Sequence, residues 1–150
     1  MYSADMVGVW TLAACYERDD EGRHLEGPLG PDPVGTLIYT ADGHVSVNMM
    51  RTSGTVSTPE ASDSVGYAGT WRVEDGKAVH TIHITTPLNG WAGTEQVRDI
   101  TDFRPGHLRL EGSAVIEGKR RTAVLEWRRA PSAAVAPGAR PRHNVRPQAA

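Results

Sequence analysis

Apolar and polar residues alternate with a period of two along most of this chain, in short segments that end at turn signals. This period is typical of β-strands, because successive side chains of a strand point to opposite faces of its sheet. No long segment shows the helical period of about 3.6 residues. The pattern predicts eight strands, which span residues 6–17, 34–40, 44–50, 65–74, 77–86, 91–100, 107–111 and 121–129.

Turn signals between consecutive segments predict that neighbouring strands are antiparallel. Asp42-Gly43 and Asp75-Gly76 are Asp-Gly pairs, which tight hairpin turns favour. Eight antiparallel strands are the number at which a closed barrel can hold one small ligand, and closure removes the exposed edges of the sheet. We therefore predict an all-β fold with an eight-stranded antiparallel up-and-down barrel. An open sandwich of similar strand count is the main alternative.

The segment 91–100 departs from clean alternation. Both of its faces carry polar groups, with Thr94, Gln96 and Arg98 on one face and Glu95, Val97 and Asp99 on the other. A strand of a small β domain normally presents one apolar face to the core. The segment therefore either lies at an edge or lines a cavity that needs polar groups. The second interpretation makes the protein a container for a small molecule.

The remaining segments predict loops and a tail. Residues 27–33 hold three prolines and form a rigid loop, because proline cannot join a helix or a central strand. Residues 51–64 form a loop that serves either as a lid over a barrel mouth or only as a connection. Residues 131–150, with four prolines and no acidic residue, predict a disordered tail after a barrel domain of residues 1–130.

Charge and composition exclude several classes of function. A net charge of -2 and a pI near 6.3 give no basic surface for nucleic acid. No apolar run has the length of a membrane span, and residues 1–6 lack the features of a secretory signal. The single cysteine, Cys15, then indicates a reducing, cytoplasmic setting and is expected to be a structural thiol. No Cys/His cluster, nucleophile–base motif or phosphate loop is present, so we expect no metal and no cofactor.

Several motifs resemble the bacterial lipocalin-like domain family. Gly8-Val9-Trp10 has the Gly-x-Trp pattern of lipocalins, in which the indole closes one barrel end and a late arginine packs over it. Arg129 is the best candidate for that arginine, and Arg128 is the second. Longer similarities follow in the family's order, at residues 30–43, 46–51, 69–71, 91–98 and 125–129. The resemblance covers residues 6–129 and implies a barrel that binds small organic molecules. Some lipocalin-like barrels act as cyclases or isomerases in natural-product pathways.

Two departures from the family's pattern concern the predicted site. The family has proline and asparagine directly before the tryptophan, whereas here Asn89-Gly90 precede Trp91. The acidic residue expected two or three positions after His80 is replaced by His83. If that position faces the cavity, the ligand or the chemistry of this chain differs from that of its relatives.

Three polar residues are the candidate catalytic residues. Arg98 can hold a carboxylate, enolate or phenolate of a ligand; the alternatives are an internal ion pair with Glu95 or Asp99, or a surface position. Gln96 shares its face and can orient a ligand or satisfy neighbouring groups. His80, which the resemblance favours, can act as general acid or base or can be a buried structural histidine. His83 lies on the opposite face, so the two histidines do not form a metal pair.

The candidate ligand-binding residues are aromatic, apart from one amide: Tyr16, Tyr39, Asn48, Tyr67, Trp71 and Trp91. Flat rings with polar tips suit a cavity wall, and a tyrosine hydroxyl can donate to a developing oxyanion. Packing in the core is the alternative for most of them.

These observations predict a cofactor-independent enzyme that cyclises or isomerises a small hydrophobic natural-product intermediate inside the barrel. The alternative is a non-catalytic carrier in which the same residues only orient a small hydrophobic ligand. A third interpretation is a structural or partner-binding domain, which requires a barrel with no cavity. We expect neither nucleic acid nor membrane as a partner. The oligomeric state stays open, a homodimer included.

Overall fold

The computed structural model describes residues 3–54, 63–86 and 90–133. A short 3-10 helix, Ser3–Met6, precedes the strands. The strands in chain order are β1 (Gly8–Arg18), β2 (His24–Leu25), β3 (Val34–Tyr39), β4 (His44–Met50), β5 (Ser64–Glu74), β6 (Lys77–Thr86), β7 (Glu95–Arg104), β8 (His107–Ile116) and β9 (Lys119–Arg129). Most of the predicted lid, residues 55–62, and of the predicted tail, residues 134–150, lies outside the described residues.

All strands belong to one antiparallel sheet that closes on itself. Each strand from β3 to β8 pairs with the next along the chain, and β1 pairs with both β3 and β9. The β1–β9 pairing runs from Trp10 opposite Arg129 to Arg18 opposite Thr122 and completes an eight-stranded barrel. β2 is a two-residue addition beside the end of β1. The predicted all-β, eight-stranded, up-and-down antiparallel barrel is therefore confirmed, and the open sandwich is excluded.

The two ends of the barrel differ in their connections. At one end, which we call the closed end, tight turns join β3 to β4, β5 to β6 and β7 to β8. Asp75 and Gly76 have φ values of 51° and 73°, the left-handed conformations that a two-residue hairpin turn of type I′ requires. At the other end, which we call the loop end, the connections after β2, β4 and β6 are longer.

Trp10 and Arg129 seal the closed end. Trp10 is fully buried, and its Nε1 donates to the carbonyl of Met6 at 2.9 Å. The guanidinium carbon of Arg129 lies 4.1 Å from the centre of the indole, and its two terminal nitrogens donate to the carbonyls of Val7 and Asp5 at 2.7 Å. This confirms Arg129 as the arginine partner of the Gly-x-Trp tryptophan. Glycine is favoured at position 8, because its φ of 133° is rarely adopted by other residues and a Cβ there would displace Nη1 of Arg129, which lies 2.6 Å away.

The inward apolar residues form one cluster that fills the barrel from the closed end. Burial of such side chains is the main term that stabilises a closed sheet. The largest buried members of the cluster are Met6, Trp10, Leu37, Tyr39, Leu108 and Trp127. Among the described residues, no helix is long and apolar enough to cross a membrane.

The strand predicted at residues 91–100 begins later in the structure, at Glu95. Residues 91–94 form a turn rather than a strand, in which the amide of Thr94 donates to the carbonyl of Trp91 at 2.9 Å. Gly93 has a φ of 82°, which lets the chain turn at this point. β7 then runs four residues past the predicted end at residue 100, with a bulge between Ile100 and Asp102.

Replacing Arg129 by methionine should lower the free energy of unfolding by about 2 kcal/mol, because the variant loses the cation–π contact and two charged hydrogen bonds. Urea unfolding measures the change. Arg128→Met is the matched control, since Arg128 is an exposed neighbour on the same strand; its expected change is within about 0.5 kcal/mol. Equal losses in the two variants would contradict a sealing role for Arg129.

Candidate functional site

An internal cavity of about 140 Å³ lies between the core and the loop end. Leu29, from the loop before β3, and Trp91, from the turn before β7, cover it at the loop end. Its wall is mainly apolar and includes Leu37, Val47, Met49, Leu110 and Leu125. Its polar or polarisable members are Cys15, Tyr67, His80, Trp91, Arg98 and Trp127. An apolar chamber with a few polar groups is typical of small-molecule sites.

A hydrogen-bonded chain of three side chains runs from the core to this cavity. His80 points inward from β6 and is 2% exposed. Its Nε2 lies 2.6 Å from the hydroxyl oxygen of Tyr39, and its Nδ1 lies 2.6 Å from the hydroxyl oxygen of Tyr67. Both ring nitrogens are therefore occupied. Any proton that His80 exchanges with the cavity passes through Tyr67.

The members of this chain are all neutral at neutral pH. Burial, reinforced by the charge of Arg98, lowers the pKa of His80 to about 3. Burial raises the pKa of Tyr67 to about 12, although Arg98 acts in the opposite direction. Burial also raises the pKa of Tyr39 well above its usual range. In this environment the imidazole of His80 is neutral and both of its nitrogens are bonded.

The direction of the hydrogen bonds follows from the burial of Tyr39. A neutral imidazole has one N–H donor and one acceptor nitrogen. Tyr39 is 1% exposed, and within the described part of the chain its hydroxyl bonds only to His80. If Nε2 carried the proton, the Tyr39 O–H would lack an acceptor, at a cost of about 1–3 kcal/mol. The favoured arrangement has Tyr39 donating to Nε2 and Nδ1–H donating to Tyr67, which leaves the Tyr67 O–H for a group in the cavity.

Arg98 brings a positive charge to the same wall. β7 carries its side chain inward, against Gly112 of β8, where a Cβ would lie 2.9 Å from Cδ of Arg98. Its Nη2 donates to Oε1 of Gln96 at 3.3 Å, and its Nη1 donates to the carbonyl of Val97 at 3.1 Å. The space at Gly112 and the amide of Gln96 therefore set the position of the guanidinium.

The proposed internal ion pairs of Arg98 are not formed. Glu95 points outward and pairs with Arg72 at 2.9 Å, while Asp99 pairs with Lys77. Among residues 3–54, 63–86 and 90–133, no carboxylate forms an ion pair with Arg98. A cation on a largely apolar wall favours an anionic or strongly polar ligand group as its partner.

Comparison with known families bears on this geometry directly. A family model described as a lipocalin-like domain matches residues 7–130. The chain belongs to the lipocalin-like domain family. None of the curated proteins compared with the chain matches it. The matched residues include all eight strands of the barrel, and a lipocalin-like barrel around an apolar cavity is a small-ligand-binding domain.

This lipocalin-like domain gathers most of the predicted residues around one cavity. Tyr67, His80, Arg98 and Trp91 line it, and the rings of Tyr67 and Trp91 meet edge to face with centroids 6.0 Å apart. Three others lie behind its wall. Gln96 accepts a hydrogen bond from Arg98, and Tyr39 is linked to the cavity only through His80. The ring of Trp71 packs on that of Tyr39 with centroids 4.1 Å apart, and its Nε1 donates to the carbonyl of Thr40.

Two further predicted ligand-binding residues lie neither on the cavity wall nor behind it. A bulge in β1 between Leu12 and Ala14 shifts the alternation by one residue, so Cys15 points inward and Tyr16 outward. Tyr16 instead stacks on His24 of β2 with ring centroids 4.4 Å apart. Asn48 is exposed and donates to the Ser46 hydroxyl at 3.5 Å, because its neighbours on β4 take the inward positions.

Two of the polar or polarisable cavity residues, Cys15 and Trp127, were not among the predicted site residues. Cys15 reaches the cavity only through the bulge, which no residue type in β1 signals. Burial, followed by the charge of Glu17, raises the pKa of this thiol to about 11, so it is protonated and weakly reactive. Trp127 could have been found, since alternation in β9 places it on the same face as Leu125.

The free energy of unfolding should fall by about 2 kcal/mol between pH 7 and pH 5 through His80 alone. The pKa of this residue is about 3 in the fold against 6.5 for a free histidine, so only the unfolded chain binds a proton in that range. The stabilisation is complete above pH 6.5 and is lost as pH falls toward 3.

Urea unfolding of wild type, His80→Phe and His83→Gln at both pH values measures this contribution. His80→Phe should be less stable at pH 7 and should lose less stability on acidification. His83→Gln should follow wild type, because His83 is exposed. The same acid-induced loss in all three proteins would refute the buried, neutral state of His80.

Proposed function

We propose that this domain is a cofactor-independent enzyme that closes a ring in, or isomerises, a small and mainly apolar natural-product intermediate. The intermediate carries a carbonyl, enolate or phenolate oxygen. One observation carries the proposal: Arg98 and Tyr67 line the same, mainly apolar cavity. The hydrogen-bond chain directs the Tyr67 proton toward that cavity, and among the described residues no carboxylate pairs with Arg98.

The two donors suit an oxygen on which negative charge grows during the reaction. When a carbonyl oxygen accepts hydrogen bonds from Arg98 and Tyr67, the carbonyl carbon and any conjugated double bond become more electron-poor. Fixed donors in a water-poor site stabilise such a transition state, and removal of one typically lowers turnover by about 10²–10³-fold. The apolar wall lowers the activation barrier further, because it holds a flexible substrate in a reactive conformation.

The protonation states favour ring closure over isomerisation through an enolate. Removal of a proton next to a carbonyl needs a base of suitable pKa in contact with the substrate. Both nitrogens of His80 are already bonded, and the pKa of Cys15 is about 11. A ring closure that only rearranges carbon–carbon bonds needs donors and confinement and no net proton transfer. Arg98 and Tyr67 are then the catalytic residues, while His80, Tyr39 and Gln96 are positioning residues.

A carrier of a small hydrophobic acid or phenol is the second candidate. It is favoured by the permanent charge of Arg98, which binds an anionic ligand oxygen in its ground state as well as in a transition state. The pKa of about 12 for Tyr67 keeps its hydroxyl a hydrogen-bond donor in both functions. In a carrier, Arg98 and Tyr67 would bind the oxygen of the ligand in its ground state. The two functions use the same residues and differ in whether a product forms.

Untargeted mass spectrometry of small-molecule extracts incubated with the protein tests the two functions, with heat-denatured protein as the control. An enzyme should form a product in excess of the protein. A carrier should retain one unchanged compound through gel filtration. Formation of no product and retention of no compound across a broad set of extracts would count against both.

Variants at the donors then test the site with the compound so found. For an enzyme, Arg98→Met and Tyr67→Phe should each lower kcat/KM by about 10²–10³-fold, mostly through kcat. For a carrier, each should weaken binding by about 10–100-fold. Arg72→Met is the matched control, because Arg72 lies on the outer face and pairs with Glu74 and Glu95. A wild-type value for both donor variants would show that the reaction or binding occurs elsewhere.

A further inference from the structure

One side of the outer surface of the barrel carries no charged residue. On β1 and on β3 to β6, outward side chains form rows across the strands, because residues paired in the sheet register lie side by side. The first row consists of Val9, Ile38, Ser46, Ala68 and Ile84. The second row consists of Thr11, Thr36, Asn48, Gly66 and Thr86. A shorter third row consists of Val34, Met50 and Ser64. We call these three rows the uncharged face, since none of their residues is Asp, Glu, Lys or Arg.

Charged residues border this face and lie on the opposite side of the barrel. Arg128 of β9 lies beside the β1 end of the second row in the register. Farther round the barrel, Lys77 pairs with Asp99, and Arg109 lies 3.9 Å from Glu126. An uncharged centre with a charged border is typical of surfaces that bind another protein.

The uncharged face exposes large apolar side chains and is grooved. Eight large hydrophobic side chains are exposed among the described residues, and five of them belong to this face: Val9, Val34, Ile38, Met50 and Ile84. On β4 and β5 the first two rows contain the small residues Ser46, Ala68 and Gly66, whereas β3 and β6 carry isoleucines in the first row. Two adjoining grooves of about 400 and 560 Å³ result. Exposed apolar patches of this kind often mark interaction sites.

The polar groups of the uncharged face fit a second copy of the same face. In a twofold dimer, each residue near the axis faces its own copy, so a charged residue there would meet a like charge. The uncharged face avoids this repulsion. Its polar side chains are hydroxyls and one amide, which both donate and accept hydrogen bonds and can therefore bond to their own copies.

Asn48 occupies the centre of the uncharged face. It belongs to the second of the three rows and to the third of the five strands. Its side chain is exposed, and its Nδ2 donates to the Ser46 hydroxyl at 3.5 Å. Gly66 leaves space for it, since a Cβ there would lie 3.0 Å from Oδ1 of Asn48. Two such amides that face each other across a twofold axis can exchange a pair of hydrogen bonds.

We propose that two copies of this domain form a homodimer through the uncharged face, about a twofold axis beside Asn48. Strand spacings of about 4.8 Å and a rise of about 3.3 Å per residue give this face dimensions of about 25 Å by 20 Å. Two copies would together bury about 1,000 Å², which is the lower end of the range for specific interfaces. The dimer is therefore a weak one, with a Kd of micromolar order.

Sedimentation velocity of the full chain, from about 1 µM to 1 mM, tests the dimer. The wild type should change from monomer to dimer across this range. Asn48→Asp and Asn48→Lys should each raise the Kd at least about 30-fold, because like charges then meet at the axis. An equimolar mixture of the two variants should dimerise again, since opposite charges then meet, and this recovery also shows that both variants fold.

Val115→Asp and Val115→Lys are the matched controls. Val115 is 73% exposed on β8, which lies four strands from β4 in either direction around the barrel. Both controls should dimerise with the wild-type Kd, separately and mixed.

Three results would overturn the proposal. A wild type that stays monomeric up to 1 mM would leave the uncharged face to another occupant, such as residues 134–150 or a different protein. Wild-type dimerisation of both Asn48 variants would place the contact on another surface. Asn48 variants that are monomeric both separately and mixed would exclude a twofold axis at this residue.

Discussion

The pairing of β1 with β9 gives this molecule an interior. Without it, the antiparallel strands would form a curved sheet with two open edges and no enclosed space. With it, every inward side chain faces other inward side chains across an enclosed space. The Arg129–Trp10 contact lies where this pairing begins, because Trp10 is opposite Arg129 in the register. Arg129, which seals one end of the barrel, thus lies on one of the two strands whose pairing closes it.

Once the barrel is closed, burial and the charge of Arg98 together govern the chemistry of the cavity wall. Burial lowers the pKa of His80 and Arg98 lowers it further, whereas at Tyr67 Arg98 opposes the larger effect of burial. A protonated histidine beside this guanidinium would be a second buried cation, so the Tyr39–His80–Tyr67 chain stays neutral. Neutrality in turn fixes one donor and one acceptor on the imidazole. The direction in which Tyr67 offers its proton is therefore a consequence of both burial and the neighbouring charge.

The strands, their order and the barrel could be predicted because each depends on local signals. Alternation located the strands, and Asp-Gly pairs such as Asp75-Gly76 located the tight turns. The Gly-x-Trp motif even indicated the contact between Trp10 and Arg129. Local signals do not show which face of a strand points inward. Asn48 and Arg98 both lie in alternating segments, yet only Arg98 points inward, because strand pairing across the whole sheet decides which face closes on the core.

Bulges limited the prediction in a different way. The extra residue in β1 between Leu12 and Ala14 exchanges the faces of Cys15 and Tyr16, and a similar shift between Ala68 and Gly69 of β5 accompanies the exposure of Ile84 on β6. Nothing in the type of Leu12 or Ala14 indicates a bulge, whereas Gly69 is a glycine inside a strand, which often marks one. The hydrogen-bond chain was likewise out of reach, since Tyr39, Tyr67 and His80 come from three different strands. Each of them could be selected as a candidate from the sequence, but their direct contact could not be predicted.

The bulge in β1 also has an evolutionary consequence. Removal of one residue near Ala13 would straighten the strand, because Leu12 and the thiol, now three positions apart, would then be two apart on one face. The thiol would stay in the chamber, and the tyrosine stacked on His24 would stay outside it. The loss of a single codon could thus leave both the wall of the chamber and the closed end intact. A bulge lets a barrel of this kind change the length of a strand and keep its contents.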